Sequence, residues 1–334
     1  MTELKRLTEE INKLRYDKNA VILAHNYQLP EVQDIADYTG DSLGLSQRAS
    51  ETDAEIIVFC GVHFMAETAS IISPKKKVLI PDPGAGCSLS DTIDARQLRG
   101  WKKEHPGAVV VSYVNTSAEV KAESDYCCTS SNAVNVVDSI PRDKEILFLP
   151  DMFLGAYAAK VTGRKMHVWE GECHVHAGIG SQDIKDIRDT HPDAEMVIHP
   201  ECGCTTNFLY QSLDNLPENS TVHVKTNGNG YAKTNGNSHI KFLSTGGMLK
   251  HAKESEKHEF IIATETGMLH RLRKDNPGKA FYPARDNAVC KYMKMITLPK
   301  VLRSLQEEVF EVEVPAKTAL RAKKSIDRML EITA

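Results

Sequence analysis

The sequence has no basic excess. Its 334 residues carry a formal net charge of −4, which argues against a nucleic-acid binder, because such proteins normally present a basic face. Small anionic substrates stay open, since local dipoles and donors hold them whatever the net charge. A long apolar run is also missing: nothing approaches the ~20 residues of a membrane span. The opening stretch MTELKRLTEEINKLRYDKN sets Leu4, Leu7, Ile11 and Leu14 at helical spacing between charges, without the continuous apolar core of a signal peptide. These absences predict a cytoplasmic protein with neither nucleic acid nor membrane as partner. They also predict that its eight cysteines do not build a disulfide framework. A third absence is the CxxC pair that most zinc sites use. What remains is an ordinary globular composition, 41% apolar and 26% charged, in a chain long enough for two or three domains and a sizeable core.

Internal repetition is the strongest signal. The apolar runs AVILAHNY, AVVVSYVN and AEMVIHPE end on His25 and Tyr27, Tyr113 and Asn115, and His199 and Glu201. Each reads as a buried parallel strand that delivers polar groups at its C-terminal end. Next come DYTGDSLGLSQRA with Ser42, DYCCTSSNAVNVV with Ser130, and KFLSTGGMLKHAKES with Ser244 and Thr245, each placing a hydroxyl in a loop before a helical pattern. His25 to Ser42 and Tyr113 to Ser130 are both 17 positions, while His199 to Thr245 is 46, or 17 plus an insertion of 29. The insertion falls near 209–238, and its paired Asn-Gly steps predict a hairpin or surface flap. Further on, EIIVFC, EILFL and EFIIA read as strands, and the offsets from Ser42 to Cys60, Ser130 to Leu149 and Thr245 to Thr264 are 18, 19 and 19.

The last segment of each repeat carries one cysteine: Cys87 in VLIPDPGAGCSLSD, Cys173 in MHVWEGECHVHAG and Cys290 in AFYPARDNAVCKYM. Three thiolates at matching positions suit a soft metal centre. An iron–sulfur cluster normally takes four cysteines; with three, one iron stays open and can act as a Lewis acid. That arrangement fits dehydration better than electron transfer. The predicted architecture is α/β: an N-terminal helix over 1–18, homologous αβα units over 19–104, 105–190 and 191–300, and a C-terminal helical segment over 301–334. Mainly parallel sheets would face one another about a pseudo-threefold axis with the active site at the centre, beyond the strand ends.

Taken together and in order, ILAHNYQ, PDPGAGCSLSD, YVNTSAEVKAESDYCCTSSNAV, the Cys-x-x-His of WEGECHVH, HPEC, STGGM, ATETGM and CKYMKMITL resemble the quinolinate synthase (NadA) family of NAD biosynthesis. The resemblance runs from about residue 20 to about residue 305. It implies a [4Fe-4S] cluster on Cys87, Cys173 and Cys290, with the fourth iron open. The implied reaction condenses iminoaspartate with dihydroxyacetone phosphate to quinolinate, releasing phosphate and two waters, and implies coupling to an aspartate-oxidising enzyme. Substrate binding is implied for His25, Ser42, Tyr113, Val114, Asn115, Ser130, His199, Pro200, Glu201 and Thr245. Catalysis is implied for Tyr27 and His176; on proton-transfer chemistry Glu201 is the candidate base, with Tyr27 and His199 expected to share the transfer.

Other residues read as structural: Cys60, Cys127 and Cys128 as packing, Cys202 and Cys204 as structural or, failing that, as spare ligands or a redox pair. His63 is expected in a loop over the cavity, and His174 to point away from His176. Two rival readings are a zinc hydrolase built on Cys173, His176 and HPE, and a non-enzymatic phosphometabolite binder that uses only the hydroxyl loops.

Overall fold

The computed structural model describes residues 2–205 and 240–332; the insertion near 209–238 lies outside the described residues. The structure is α/β, with three four-stranded sheets in which every strand pairing is parallel. The first sheet holds β1 (Ala20–His25), β2 (Tyr38–Gly40), β3 (Ile56–Cys60) and β4 (Lys77–Leu79) in the order β2-β1-β3-β4. The second holds β5 (Val109–Tyr113), β6 (Tyr126–Cys128), β7 (Ile146–Leu149) and β8 (His167–Val168), ordered β6-β5-β7-β8. The third holds β9 (Glu195–Ile198), β10 (Ile240–Phe242), β11 (Glu259–Ala263) and β12 (Ala280–Pro283), ordered β10-β9-β11-β12. One strand order is therefore used three times. In each, the chain reverses its direction of travel beside the first strand, which leaves a crevice at the C-terminal strand ends where α/β sheets bind ligands.

The central strands β3 and β7 are buried at every position, as expected of parallel strands covered on both faces by helices. The three-residue strands β2, β6 and β10 fall where the sequence predicts loop, because three residues are too few to show a period. A shared device fixes two of them. Asp37, just before β2, accepts the backbone N–H of Ile22 at 2.8 Å, and Asp125, just before β6, accepts that of Val110 at 2.9 Å. Each Asp-Tyr pair thus pins its edge strand to the neighbouring first strand.

The helix Glu3–Asp17 buries Leu7 and Ile11, two of the four apolar positions at helical spacing, and leaves Leu4 exposed. It packs against the helix Leu298–Glu307. Beyond that helix the chain pairs antiparallel with the edge of the first sheet, Glu311 bridging Leu79. The final helix Ala316–Glu331 crosses to the second unit, where Ser325 Oγ donates to the Lys121 carbonyl at 2.9 Å and Asn132 Nδ2 donates to the Met329 carbonyl at 3.0 Å. No helix among the described residues is long and apolar enough to cross a membrane.

Candidate active site

The C-terminal ends of all three sheets open into one cavity, lined by side chains from every unit, as small-molecule sites of α/β sheets are. His25 closes β1, Tyr113 closes β5 and His199 follows β9, so the three first strands deliver equivalent side chains to its wall. Ser42, Ser130 and Thr245 line the same cavity. Ser42 and Thr245 are the first residues of ten-residue helices capped by Asp41 and Ser244, where backbone N–H groups and the helix dipole favour an anion. Ser130 sits in the turn before the helix Ala133–Ser139 and lies 3.2 Å from His199 Nε2. Thr245 Oγ1 accepts from Asn26 Nδ2 at 3.0 Å. Asn115 and Tyr27 complete the set of side chains expected here.

Cys87, Cys173 and Cys290 line this cavity too, each half-buried. Their local folds repeat. The carbonyls of Cys87, Cys173 and Cys290 accept the N–H four residues on, from Asp91 at 3.1 Å, Ala177 at 2.8 Å and Lys294 at 3.2 Å. The amides of Leu89 and Ser90 face the Cys87 sulfur, and those of Tyr292 and Met293 face the Cys290 sulfur. At Cys173 the corresponding partner is the His176 ring, with Nδ1 3.4 Å from the sulfur. Burial pushes all three thiols up, Cys87 to about 12. A bound cation would reverse that penalty by favouring the thiolates. Three convergent thiols, with N–H groups aimed at their sulfurs, fit a thiolate-held metal centre.

The remaining polar groups form a buried network. The Tyr113 hydroxyl donates to Glu201 Oε1. Glu201 Oε2 lies 3.4 Å from His176 Nδ1, and Glu201 Oε1 lies 3.7 Å from His199 Nδ1. On the other edge of the His176 ring, Nε2 is 2.9 Å from Thr264 Oγ1 and 3.3 Å from the Tyr27 hydroxyl, which itself lies 2.5 Å from Thr264 Oγ1. Burial opposes charge on His176, while the Glu201 carboxylate facing Nδ1 raises it. Burial also opposes charge on Glu201, but the His176 imidazole and the donating Tyr113 hydroxyl lower it. Burial keeps His25 and His199 neutral, each lowered to about 3, so the 3.7 Å approach of His199 to Glu201 is not an ion pair. Burial and the Glu201 charge raise both tyrosines well above their ordinary value. The network thus sets the His176 imidazole and the Glu201 carboxyl between the Tyr113 and Tyr27 phenols.

Several expectations take a different form. Val114 and Pro200 do not line the cavity; the Val114 N–H donates to the Cys128 carbonyl at 2.8 Å. His63 is not in a loop over the cavity. It opens the helix His63–Ile72 with its ring turned to solvent, and its neighbours Val62, Phe64 and Met65 line the wall instead. His174 lines the outer part of the wall and meets Ser88 Oγ at 2.6 Å through Nδ1. Cys60, Cys127 and Cys128 are buried in strands. Cys202 and Cys204 are buried away from the lining, with Cys202 Sγ donating to the Ala263 carbonyl at 3.0 Å.

One functional pair has no assigned role in the sequence reading. Glu265 is buried and accepts from the Cys290 N–H at 3.1 Å, the Gly267 N–H at 2.7 Å and the Lys294 ammonium at 2.9 Å. Lys294 also donates to the Tyr27 carbonyl. The pair ties the Cys290 loop of the third unit to the Tyr27 loop of the first. A signal was present, since a glutamate directly follows Thr264 at the end of an apolar strand, within ATETGM.

The profile of the family described as Quinolinate synthetase A protein (NadA) matches residues 9–331. The chain belongs to this family. Similar curated proteins include the quinolinate synthase of Thermus thermophilus, 51% identical over 326 residues that cover 98% of this chain and 97% of that protein. The quinolinate synthase of a Mycobacterium species is 54% identical over 324 residues, 97% of this chain and 91% of its own length. That of Pyrobaculum aerophilum is 52% identical over 325 residues, 97% and 99% of the two chains. Neither the zinc-hydrolase reading nor the non-enzymatic binder reading finds support in these relatives, although Cys173, His176 and Glu201 do bring donor atoms within 4.8 Å of one another.

Proposed function

We propose that the chain is a quinolinate synthase that condenses iminoaspartate with dihydroxyacetone phosphate, giving quinolinate, phosphate and two waters. The observation that carries this reading is the convergence of three repeat-equivalent cysteines on the cavity that also gathers the hydroxyls and the Glu201 network. Cys87, Cys173 and Cys290 would hold a [4Fe-4S] cluster, and family membership with half-identical relatives supports the reaction. When bound, a cluster with three protein ligands supplies one open iron, a Lewis acid toward a carboxylate or hydroxyl oxygen.

The chain's own groups have separate tasks. Ser42, Ser130, Thr245 and Asn115, with the neutral His25 and His199, bind and orient a substrate rich in carboxylate oxygens. The helix ends behind Ser42 and Thr245 favour the negative charge. Glu201 is the base: the Tyr113 hydroxyl that donates to Oε1 stabilises its charged form until it takes a proton from substrate. Tyr27 is the donor on the opposite side, linked to the imidazole of His176 through Thr264. We also propose a cytoplasmic location and supply of the unstable imine by an aspartate-oxidising enzyme; free rather than paired cysteines support the first.

The deciding experiment is an anaerobic assay for quinolinate from the two substrates, paired with iron and sulfide analysis. Brown protein with about four irons and four sulfides is expected, lost in Cys87→Ala, Cys173→Ala and Cys290→Ala and kept in Cys60→Ala. Colourless protein holding one zinc, or a normal cluster in Cys173→Ala, would overturn the assignment.

A further inference from the structure

A second cluster of metal-binding side chains lies outside the cavity. His105 Nδ1 and His167 Nε2 approach the same oxygen of Glu145, at 2.8 Å and 2.6 Å. All three donor atoms fall within 4.8 Å of one another, and the two rings sit 4.2 Å apart. The residues come from separate elements: His105 ends the helix Ala95–Glu104, Glu145 precedes β7, and His167 opens β8. Glu145 and His167 are exposed and His105 is half-buried.

We propose that His105, Glu145 and His167 form a solvent-facing site for one divalent transition-metal ion of the imidazole-preferring kind, Ni²⁺ or Zn²⁺. Two imidazoles and a carboxylate are the ligand types such ions select. Zinc bonds to nitrogen and oxygen run about 2.0–2.2 Å, so tetrahedral ligand atoms stand roughly 3.3 Å apart. The two nitrogen–oxygen separations need open by roughly 0.5 and 0.7 Å, which exposed side chains supply by small rotations. Both rings now meet one carboxylate oxygen, and each can present its lone pair there once its N–H proton resides on the other ring nitrogen. The position favours a cation for a second reason: it caps the C-terminus of a ten-residue helix, the negative end of its dipole. Lys102, in the last turn of that helix, is directed away toward Glu123, whose carbonyl accepts from it at 2.7 Å. Three protein ligands leave positions open to water. An ion here would clasp the helix to β8, the strand that leads into the Cys173 loop.

The protein carries its own reporter. Its two tryptophans, Trp101 and Trp169, stand at the site: Trp101 packs 6.2 Å from His105 and 5.5 Å from Trp169, and Trp169 is two residues after His167. Tag-free, cluster-loaded protein should be titrated anaerobically with Ni²⁺, following tryptophan fluorescence, with nickel and iron measured after desalting. Quenching should saturate at one equivalent and one nickel should be retained, with iron content and quinolinate formation unchanged. His167→Ala and Glu145→Gln should each weaken retention at least tenfold while keeping their iron. The proposal is overturned if wild type retains no nickel, if both variants retain it as wild type does, or if nickel enters only as iron leaves.

Discussion

Glu201 sits at the centre of the buried network, touched by a phenol from the second unit and by two imidazoles. Replacing it with glutamine keeps the volume and removes the charge. Glu201→Gln should therefore retain its iron and lose turnover by roughly 10²–10⁴-fold, the usual contribution of a positioned base. An anaerobic steady-state assay beside iron analysis checks this, and unchanged turnover would remove Glu201 from the mechanism. Single residues of this kind were legible in the sequence because they stand at the ends of apolar strands, where α/β sheets place their ligands. Glu265 shares that strand-end position, but its role and that of Lys294 were not legible. Their meaning lies in contacts 25 and 267 positions away, with Cys290 and Tyr27, and no local pattern encodes such partners.

Among the elements, the helix Ala95–Glu104 shows how local chemistry sets a boundary. Asp94 accepts from the Gln97 N–H at 2.7 Å, and the Gln97 side chain accepts from the Asp94 N–H at 2.8 Å, a reciprocal cap. Asp94→Ala should cost about 1 kcal/mol and lower Tm with turnover unchanged; an equal Tm would show that the helix start is fixed by packing alone. Strands with long apolar runs, such as β3 and β7, could be read directly from sequence. The three-residue strands β2, β6 and β10 could not, because their pairing depends on a neighbour and not on a period. His63 failed for a related reason: a residue at a helix start can face either way, and here packing turned Phe64 and Met65 inward instead.

Across the whole molecule, both ends of the chain are bound back to the three-sheet frame. Glu308, in a left-handed conformation at φ 50°, joins Lys18 at the end of the first helix and Lys77 in β4, both at 2.7 Å. Hydrogen bonds from these two lysines hold its carboxyl down to about 2, below the ~4.3 of an unfolded glutamate. A depressed folded value contributes stability that is complete above the unfolded value and disappears as pH falls toward the folded one. Wild type should thus be more stable than Glu308→Gln near pH 7. The gap in Tm should narrow as pH drops from about 4.3 toward 2, and a gap independent of pH would refute the role. The fold as a whole was readable because its repeat is regular, while the way the last helix crosses to the second unit carries no repeat to read.

Three copies of one strand order also impose a constraint on chemistry. A frame repeated in this way offers a ligand the same surroundings from three directions, but a condensation has distinct ends. Its directionality must come from where the copies differ. The position at the C-terminal end of each leading strand stays similar, as His25, Tyr113 and His199, while two residues later the copies diverge into Tyr27, Asn115 and Glu201. A phenol, an amide and a carboxylate thus occupy corresponding places around the cavity. The repetition builds the chamber, and these three broken correspondences give it a front and a back.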